Sequence, residues 1–448
     1  YKRQALVGEC GKAVAKESRA FGVDMLLGPN VNIHRDPLGG RVFESYSEDP
    51  YLAAQLVIDY VKGVQSEGVA ADVKHFAANN QEYQRHGIEE IISERALREI
   101  YLPAFKAAVQ EGDCWTVMSA YNKINGADCA MSRRLLTEIL REEWGFEGFV
   151  VSDWGAAYDR VGALQAGNDL EMPGPQDPQV IADAVAAGEL AEGVLDERVA
   201  NILRILIRLP VFQGRERPPL DRAYSAQVAR AVAVEGAVLL KNENGALPLR
   251  EEGLLAVLGE NARTPIPTGP GSAGVLAPYT VSLMEGLESR LGQQKVVFGE
   301  IAEGAEAVLV SIGLQSGEGR DRVSLKLADE DVMLILKTAK ACQQAGVPCI
   351  VLLNVCGVVE VSGWIDEVDA VLLIWLGGME LGHAAAALLA GDENPSGKLP
   401  QTWPVRYEDT PSFLNFPGEY GEVRYGEGIY VGYRYFDAKE IAPQSIEL

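Results

Sequence analysis

The sequence predicts an α/β protein in which a TIM-like (β/α) barrel is followed by an α/β sandwich domain. Three observations lead to this prediction. Short apolar runs alternate with helix-period segments in the first half of the chain, polar residues follow the ends of those runs, and a second alternation begins after a proline-rich segment. Alternating strands and helices build parallel sheets. A chain of 448 residues also exceeds what one hydrophobic core normally supports.

Polar residues at the ends of the predicted strands favour a barrel for the first half. In a βα barrel the carboxyl ends of the strands line one mouth, where chemistry takes place. A doubly wound sheet also binds ligands at its carboxyl edge, so it remains the alternative. The predicted strands are Asp24–Asn32, Val69–Lys74, Trp115–Tyr121, Phe149–Asp153 and Asp169–Met172, and the predicted helices are Gln4–Phe21, Pro50–Glu67, Ser93–Glu111, Ser132–Trp144, Gln179–Ala187 and Leu195–Leu209.

The segment Pro210–Arg222 carries Gly214, Pro218 and Pro219 and is typical of an interdomain linker. We therefore expect a barrel at 1–209, a linker at 210–223, a sandwich domain at 224–436 and a tail at 437–448. The strands expected after the linker are apolar on both faces, as a sheet between helices requires. They are Leu254–Gly259, Ala307–Ile312, Cys349–Asn354 and Ala370–Trp375, with helices Tyr224–Lys241, Ala328–Gln344 and Glu380–Leu389.

Charge and composition exclude several classes of partner. The net charge of −24 leaves no basic stripe for nucleic acid and disfavours anionic membrane surfaces. The cysteines show no metal-ligand spacing, and no metal or cofactor is predicted. Without a secretory signal or a long apolar run, a cytoplasmic location is expected, although the chain begins at Tyr1 and an upstream signal remains compatible with it. The oligomeric state, including a homo-oligomer, is left open.

Asp153 is the first candidate for chemistry. It ends a buried strand and precedes Trp154, and a carboxylate placed there is costly unless it is used or paired. One interpretation is a nucleophile or base beside an aromatic platform for a sugar; the other is a carboxylate that caps the next helix. Lys74 and His75 also end a strand, where they could hold sugar hydroxyls or be a surface lysine and a structural histidine. Arg41 and Arg85 are ambiguous in the same way.

Two sets of motifs follow one another along the chain. The motifs of the predicted barrel are Gly28-Pro29-Asn30-Val31-Asn32-Ile33-His34-Arg35-Asp36-Pro37, Gly40-Arg41-Val42-Phe43-Glu44-Ser45-Tyr46-Ser47-Glu48-Asp49-Pro50, Lys74-His75-Phe76, Met118-Ser119-Ala120-Tyr121-Asn122 and Ser152-Asp153-Trp154. The motifs of the second domain are Leu239-Leu240-Lys241-Asn242, Ser316-Gly317-Glu318-Gly319-Arg320-Asp321-Arg322 and Asn394-Pro395-Ser396-Gly397-Lys398-Leu399-Pro400. Taken together, these motifs resemble family 3 glycoside hydrolases.

The resemblance implies a retaining, exo-acting β-glucosidase that removes non-reducing terminal β-D-glucose by double displacement. It makes Asp153 the nucleophile and Glu318, supplied by the second domain, the acid/base. It also implies a set of sugar contacts around the terminal glucose: Arg41, Lys74, His75, Arg85, Tyr121 and Trp154 from the first domain and Ser272 from the second.

Physical chemistry agrees with this assignment. Retaining hydrolysis needs two carboxyl groups about 5 Å apart, one ionised and one protonated. Lys74 and Arg41 near Asp153 would keep it anionic, and the glycines flanking Glu318 would let its loop reach the substrate. Arg320 and Arg322 would favour an ionised Glu318 if they were close, so we expect them to point away, for instance toward Asp321.

The sequence departs from the family pattern in two features and leaves rival activities within the family to be compared. Within the given sequence no Asp-Gly-Pro motif precedes Gly28, and no segment resembles the fibronectin-like domain that is frequent in the family. We expect a piece of a longer protein, because an open barrel would expose strand edges. β-Xylosidase or α-arabinofuranosidase activity is the rival within the family, and Trp154 favours the glucosidase. The segment 77–82 and Glu318 disfavour an N-acetylglucosaminidase.

A protein of another class is a further alternative, either a non-catalytic carbohydrate-binding protein or a nucleotide-binding protein. Nucleotide binding is disfavoured because prolines interrupt the glycine-rich loop 269–274 and the segment before it.

Overall fold

The computed structural model describes residues 2–174, 177–214, 216–250 and 253–444. The chain divides into two compact units, neither of which is a continuous stretch of chain. Pro37–Phe43, expected in the barrel range, belongs to the second unit, and Leu414–Tyr435, expected in the sandwich range, belongs to the first. The first unit comprises Tyr1–Asp36, Glu44–Arg222 and Leu414–Tyr435, and the second comprises Pro37–Phe43, Ala223–Phe413 and Phe436–Leu448. Residue 215 of the predicted linker and residues 445–448 of the predicted tail lie outside the described residues.

The first unit is built on a parallel sheet whose strands lie side by side in chain order. Isolated bridges from Asn30 to Lys74 and from Val151 to Leu170 extend the pairing at its two edges. A doubly wound sheet would reverse its strand order at a switch point, whereas sequential order is that of a βα barrel. The predicted TIM-like barrel is thereby confirmed. Its strands are Met25–Leu26, Ala70–Phe76, Thr116–Ser119 and Phe149–Ser152.

Side chains alternate along these strands between two apolar clusters. Ala71 and Val73 belong to the cluster that contains helix residues such as Val57, whereas Ala70 packs with Met118 and Val151. The period of two that a strand imposes therefore separates the helix-facing layer from the barrel interior. The helices of this unit are Lys2–Phe21, Pro50–Ser66, Glu94–Ala96, Leu97–Tyr101, Pro103–Gln110, Arg134–Glu143, Arg160–Ala166, Gln179–Ala186 and Glu192–Leu206, with short 3₁₀ turns at Val42–Glu44 and Cys129–Met131.

Several predicted elements differ from the structure for local reasons. The predicted helix Ser93–Glu111 is interrupted, because Pro103 has no amide hydrogen and the turn before it widens, with Leu102 N bonding to Leu97 O. The predicted strand Asp169–Met172 forms only the bridge at Leu170. A small second sheet was not predicted, and it includes a strand from the segment 414–435. Its strands are Glu89–Ile91, Lys123–Ile124, Ala127–Asp128 and Glu422–Arg424.

The second unit contains a six-stranded sheet with one antiparallel edge strand. That edge, Val238–Asn242, was predicted as the end of a helix; the helix instead stops at Gly236, and the apolar run pairs with Ala370–Leu373. In sheet order the strands are Val296–Phe298, Leu254–Leu258, Ala305–Leu314, Cys349–Val355, Ala370–Leu373 and Val238–Asn242.

Helices cover this sheet as an α/β sandwich requires. Helices Leu283–Leu291 and Leu381–Ala390 pack on the face that carries Leu309 and Leu352. Helix Asp329–Ala345 contacts the same central strands. Along these strands, the residues next to Leu309 and Leu352 point to the opposite face of the sheet. The remaining helices and turns that lie wholly or partly in this unit are Arg222–Gly236, Glu260–Ala262, Gln293–Lys295, Ile365–Glu367, Tyr407–Asp409 and Tyr433–Lys439.

Within the described residues, no helix has the length and apolar character needed to cross a membrane.

Candidate active site

Asp153 lies immediately after the barrel strand Phe149–Ser152 and is 8% exposed. Its backbone N donates to Ser119 O at 3.1 Å, which continues the pairing with the neighbouring strand. One carboxylate oxygen, Oδ1, accepts the backbone N–H of Trp154 at 2.8 Å. The sheet and the following turn thus hold this carboxylate at the carboxyl end of the barrel, where barrel enzymes carry out their chemistry.

His75 and Lys74 reach the same edge from the neighbouring region of the sheet. The pairing of Ala70–Phe76 with Thr116–Ser119 shifts register between Val73 and Phe76, and such a bulge re-aims side chains at the rim of a barrel. His75 Nε2 lies 3.7 Å from Asp153 Oδ2. Lys74 and His75 are both buried, at 7% and 2% exposure. The surface-lysine interpretation of Lys74 is therefore wrong.

Arg85 and Tyr121 form a second part of this cluster. The Arg85 guanidinium lies 5.1 Å from the centre of the Tyr121 ring and donates to Glu82 at 2.8 Å. The rings of His86 and Tyr121 meet edge to face at 4.2 Å. Glu82 is almost fully buried, so its carboxylate orients the arginine. Glu82 was not predicted as a site residue, although its spacing of three residues from Arg85 is a signal for such a pair.

Two exposed aromatic rings follow Asp153 on one loop. Trp154 is 42% and Tyr158 is 47% exposed. The Tyr158 hydroxyl lies 2.6 Å from His86 O and 3.2 Å from Tyr121 O, so it ties the loop to the segments that carry Arg85 and Tyr121. Partial burial raises the pKa of Tyr158 to about 12, and the carboxylates of Asp128 and Asp153 add to the rise. Tyr158 was not predicted as a site residue, although a second aromatic residue in the Asp153 loop was a signal for it.

Asp72 is a fully buried acid in the barrel interior. It lies two residues before Lys74, on the same side of the strand. Burial raises the pKa of Asp72 to about 8; the Thr116 hydroxyl and Lys74 oppose the rise, and the negative charge of Asp153 adds to it. At neutral pH this rise favours the protonated form of Asp72.

Glu318 lies in the second unit, on a tight turn in which Gly317 bridges to Arg320. Its Oε2 accepts the backbone N–H of Ser272 at 2.6 Å. Arg41, from the segment Pro37–Phe43 of this unit, places Nη1 3.7 Å from Glu318 Oε1 and Nη2 3.4 Å from Ser272 Oγ. The structure thus brings Arg41, Ser272 and Glu318 together. That Arg41 also lies beside Asp153 remains a prediction.

The residues flanking Glu318 have partners that the sequence did not reveal. Asp321 Oδ1 accepts the backbone N–H of Gly40 at 2.9 Å, and Arg322 donates to Val358 O at 2.5 Å. One partner of the Arg322 guanidinium is therefore a backbone carbonyl. A Cβ on Gly40 would lie 2.2 Å from Arg320 O, so only glycine permits this approach.

The predicted site residues fall into two described groups. Asp153, His75, Lys74, Arg85, Tyr121 and Trp154 lie at the carboxyl edge of the first unit, and Arg41, Ser272 and Glu318 lie together in the second. Within the residues that the structure describes, no three His, Cys, Asp or Glu side chains are arranged to hold a metal ion.

The fold and these groups define a barrel-plus-sandwich protein with acidic, basic and aromatic side chains at the carboxyl edge of its barrel. The glycosyl hydrolase family 3 N terminal domain matches residues 2–205, and the glycosyl hydrolase family 3 C-terminal domain matches residues 237–433. The chain belongs to glycosyl hydrolase family 3.

Individual relatives extend the match. The chain is 42% identical to the thermostable beta-glucosidase B of Acetivibrio thermocellus, over 98% of this chain and 60% of that protein. It is 39% identical to an exo-alpha-(1->6)-L-arabinopyranosidase of Bifidobacterium breve, over 96% and 60%. The solved structure of beta-glucosidase 3B from Thermotoga neapolitana in complex with alpha-D-glucose has a TM-score of 0.94 and 41% identity, over 98% of this chain and 69% of that one. The chain thus spans about 60% of the length of these curated relatives.

Proposed function

We propose that this chain carries the catalytic machinery of a retaining exo-acting β-glucosidase that releases non-reducing terminal β-D-glucose from oligosaccharides or glucosides. The observation that carries the proposal is the buried carboxylate of Asp153 at the carboxyl end of a barrel strand, with His75 at 3.7 Å and the exposed ring of Trp154 next in the chain. Relatives named beta-glucosidases, one of them solved with glucose, support the choice of sugar.

In the proposed reaction Asp153 is the nucleophile. Its carboxylate attacks the anomeric carbon, a glucosyl ester forms, and the bond to the aglycone oxygen breaks while Glu318 donates a proton to that oxygen. Water then attacks the anomeric carbon of this ester, Glu318 accepts a proton from the water, and the bond from that carbon to the Asp153 oxygen breaks, which releases Asp153 as a carboxylate. The mechanism requires the two carboxyl groups to stand about 5 Å apart in the working enzyme.

The other proposed contacts hold the terminal sugar. The Trp154 ring offers an apolar face on which a pyranose can stack. Buried donors at the carboxyl edge suit sugar hydroxyls, because a desolvated hydrogen bond to a charged group is stronger than one in water. The proposed donors and acceptors are Lys74, His75, Arg85, Tyr121, Arg41 and Ser272.

The contacts of Glu318 favour its ionised form. The Ser272 amide and the Arg41 guanidinium both stabilise a carboxylate, and that form is the base of the second step. The first step needs the protonated form. We propose that Arg41 donates to sugar hydroxyls once the substrate is bound, which weakens its hold on Glu318 and allows protonation.

Covalent labelling tests the nucleophile. A 2-deoxy-2-fluoroglucoside with a good leaving group should trap an ester on Asp153, and peptide mapping should place the label there. The Asp153→Asn variant should take up no label. Label on a different carboxylate would refute the assignment.

Azide rescue tests the acid/base. Glu318→Ala should lose turnover of substrates with poor leaving groups but keep partial activity on activated aryl glucosides, and azide should restore turnover by attacking the ester without base assistance. Absence of rescue would mean that another group is the acid/base. Glu330→Ala, an exposed acid on helix Asp329–Ala345, serves as the control and should behave as the parent chain does.

A panel of aryl glycosides separates the candidate activities. β-Glucoside should be the preferred substrate, ahead of β-xyloside, β-galactoside and N-acetyl-β-glucosaminide. α-L-Arabinofuranoside and α-L-arabinopyranoside belong in the panel, the second because a relative carries that activity in its name. Binding of glucose without turnover of any member would favour a carbohydrate-binding protein.

A further inference from the structure

Asn32 lies beside His75 and makes three hydrogen bonds to it. We infer that Asn32 is a positioning residue, which fixes the His75 ring so that Nδ1 donates to Asn32 and Nε2 is turned toward Asp153. Both residues are buried, Asn32 at 6% and His75 at 2% exposure. The kinetic part of the inference rests on the proposed function, whereas the structural part does not.

Two backbone bonds determine which way the Asn32 amide points. Its Oδ1 accepts the backbone N–H of His75 at 3.0 Å, and its Nδ2 donates to the backbone carbonyl of His75 at 2.9 Å. A backbone N–H can only donate and a backbone carbonyl can only accept. The amide cannot be turned around without breaking both bonds, so the position of Oδ1 does not depend on assumed hydrogens.

This orientation selects the tautomer of the imidazole. The same Oδ1 lies 2.9 Å from Nδ1 of His75. A carbonyl oxygen of an amide has no proton to donate, so Nδ1 must carry the hydrogen of this bond. In the neutral ring Nε2 is then left as the acceptor, and in the doubly protonated ring it becomes a donor.

The position of Asn32 is itself secured by the segment before the barrel's second strand. Its backbone N donates to Asn30 Oδ1 at 2.9 Å, and Asn30 Nδ2 donates to Glu44 Oε1 at 3.0 Å. Asn30 also bridges to Lys74 in the sheet. The chain of contacts ties the His75 ring to two neighbouring parts of the barrel edge, which limits its rotation.

Nε2, the ring nitrogen that faces Asp153, is therefore a hydrogen-bond acceptor whenever the ring is neutral. His75 Nε2 lies 3.7 Å from Asp153 Oδ2, which is too long for a hydrogen bond. In its neutral form this nitrogen accepts a hydrogen bond from a sugar hydroxyl, which can in turn be oriented beside the nucleophile. The other neutral tautomer would offer a donor at Nε2 instead, and its unprotonated Nδ1 would lose the hydrogen bond to Asn32 Oδ1.

Nitrogen NMR of the histidine rings tests the inference without any assay of activity. The chain has four histidines, so ¹⁵N-histidine labelling gives few signals, and His75→Gln identifies the signal to be followed. The expected result is a proton on Nδ1 of His75 at every pH at which the ring is neutral. A neutral ring with its proton on Nε2 would overturn the inference.

Variants of Asn32 complete the test. Asn32→Ala should let the other tautomer appear, and Asn32→Asp, which keeps an acceptor at Oδ1, should retain the proton on Nδ1. The matched control is Asn125→Ala, because Asn125 makes the same two amide bonds to the backbone of Ile92 without touching a histidine. An unchanged His75 spectrum in folded Asn32→Ala would also overturn the inference.

The same variants have a kinetic signature on an aryl glucoside. Asn32→Ala should lower kcat/KM by about ten- to a hundredfold, since a small misplacement of a site group has effects of that size, and Asn32→Asp should recover part of it. If the chain turns over no glucoside, the proposed function fails while the ring spectrum still decides the role of Asn32.

Discussion

Gly271 lies directly against Glu318. A Cβ placed on Gly271 would come within 2.5 Å of the Glu318 Cβ and within 2.9 Å of its Oε2. Gly271 also has a φ of +92°, a conformation that L side chains rarely adopt. The position of Glu318, the proposed acid/base, therefore requires a glycine at position 271, in another loop of the same unit.

Gly271→Ala should displace the Glu318 carboxyl. We expect kcat for substrates with poor leaving groups to fall by about ten- to a hundredfold, with a smaller loss on activated aryl glucosides. Gly299→Ala is the matched control, because Gly299 has a φ of +93° and no atom near its Cβ position. Both variants should lose about 1 kcal/mol of stability from backbone strain. Equal activity in the two variants would contradict this role for Gly271.

Tyr158→Phe should weaken the arrangement of the sugar contacts. The variant keeps the ring but loses the hydroxyl, which lies 2.6 Å from His86 O. One such bond contributes about 1 kcal/mol, so kcat/KM should fall by about three- to tenfold on an aryl glucoside. Tyr158→Ala should lose more, because it also removes the exposed ring. Tyr420→Phe, at a fully exposed position, should match the parent chain; no difference between Tyr158→Phe and this control would refute the prediction.

Glu427→Gln should destabilise the first unit strongly. Glu427 Oε1 lies 2.5 Å from Arg35 Nε, and both side chains are 1% exposed. Removing one partner of a buried ion pair leaves an uncompensated charge and costs about 3–5 kcal/mol. The urea midpoint of this unit should fall accordingly.

The control for this variant is Glu422→Gln, which breaks the exposed pair with Arg424 on the same segment of chain. Exposed pairs contribute about 0–1 kcal/mol, so its midpoint should stay close to that of the parent chain. Similar losses in Glu427→Gln and Glu422→Gln would show that burial does not determine the strength of the Arg35 pair.

Asp72→Asn should change how stability depends on pH. Burial raises the pKa of Asp72 from 3.8 to about 8 in the folded chain, so between these pH values the folded state holds a proton that the unfolded state has lost. Wild-type stability should therefore fall as pH rises through this window and level off above it. The variant has no carboxyl group to titrate at this position, so its free energy of unfolding should rise relative to that of wild type, by the order of a few kcal/mol, as pH increases through the window.

Thermal midpoints measured from about pH 4 to about pH 9 test the effect of Asp72. The exposed Asp196→Asn serves as the control and should run parallel to wild type throughout. Parallel curves for Asp72→Asn and wild type would mean that the group titrates alike in the folded and unfolded chain.

Local sequence signals predicted most of the elements that position the site. The strands ending near Lys74, Ser119 and Asp153 were predicted to within a few residues, because apolar runs and the polar residues after them are properties of adjacent positions. The elements that were predicted wrongly also follow from using local patterns alone. Val238–Asn242 continues a helical pattern in sequence, and only its pairing with Ala370–Leu373 makes it a strand.

What the sequence determined by itself was therefore the order of strands and helices, the identity of the polar residues at the strand ends and the family resemblance carried by the motifs. Only the tertiary structure decided which of these residues meet. Arg41 joins Glu318 because Gly40 permits close packing against Arg320, and the His75 ring is oriented by Asn32, 43 residues earlier in the chain. Periodicity and turn propensity act over a few residues, whereas these contacts depend on ångström-scale packing between distant segments.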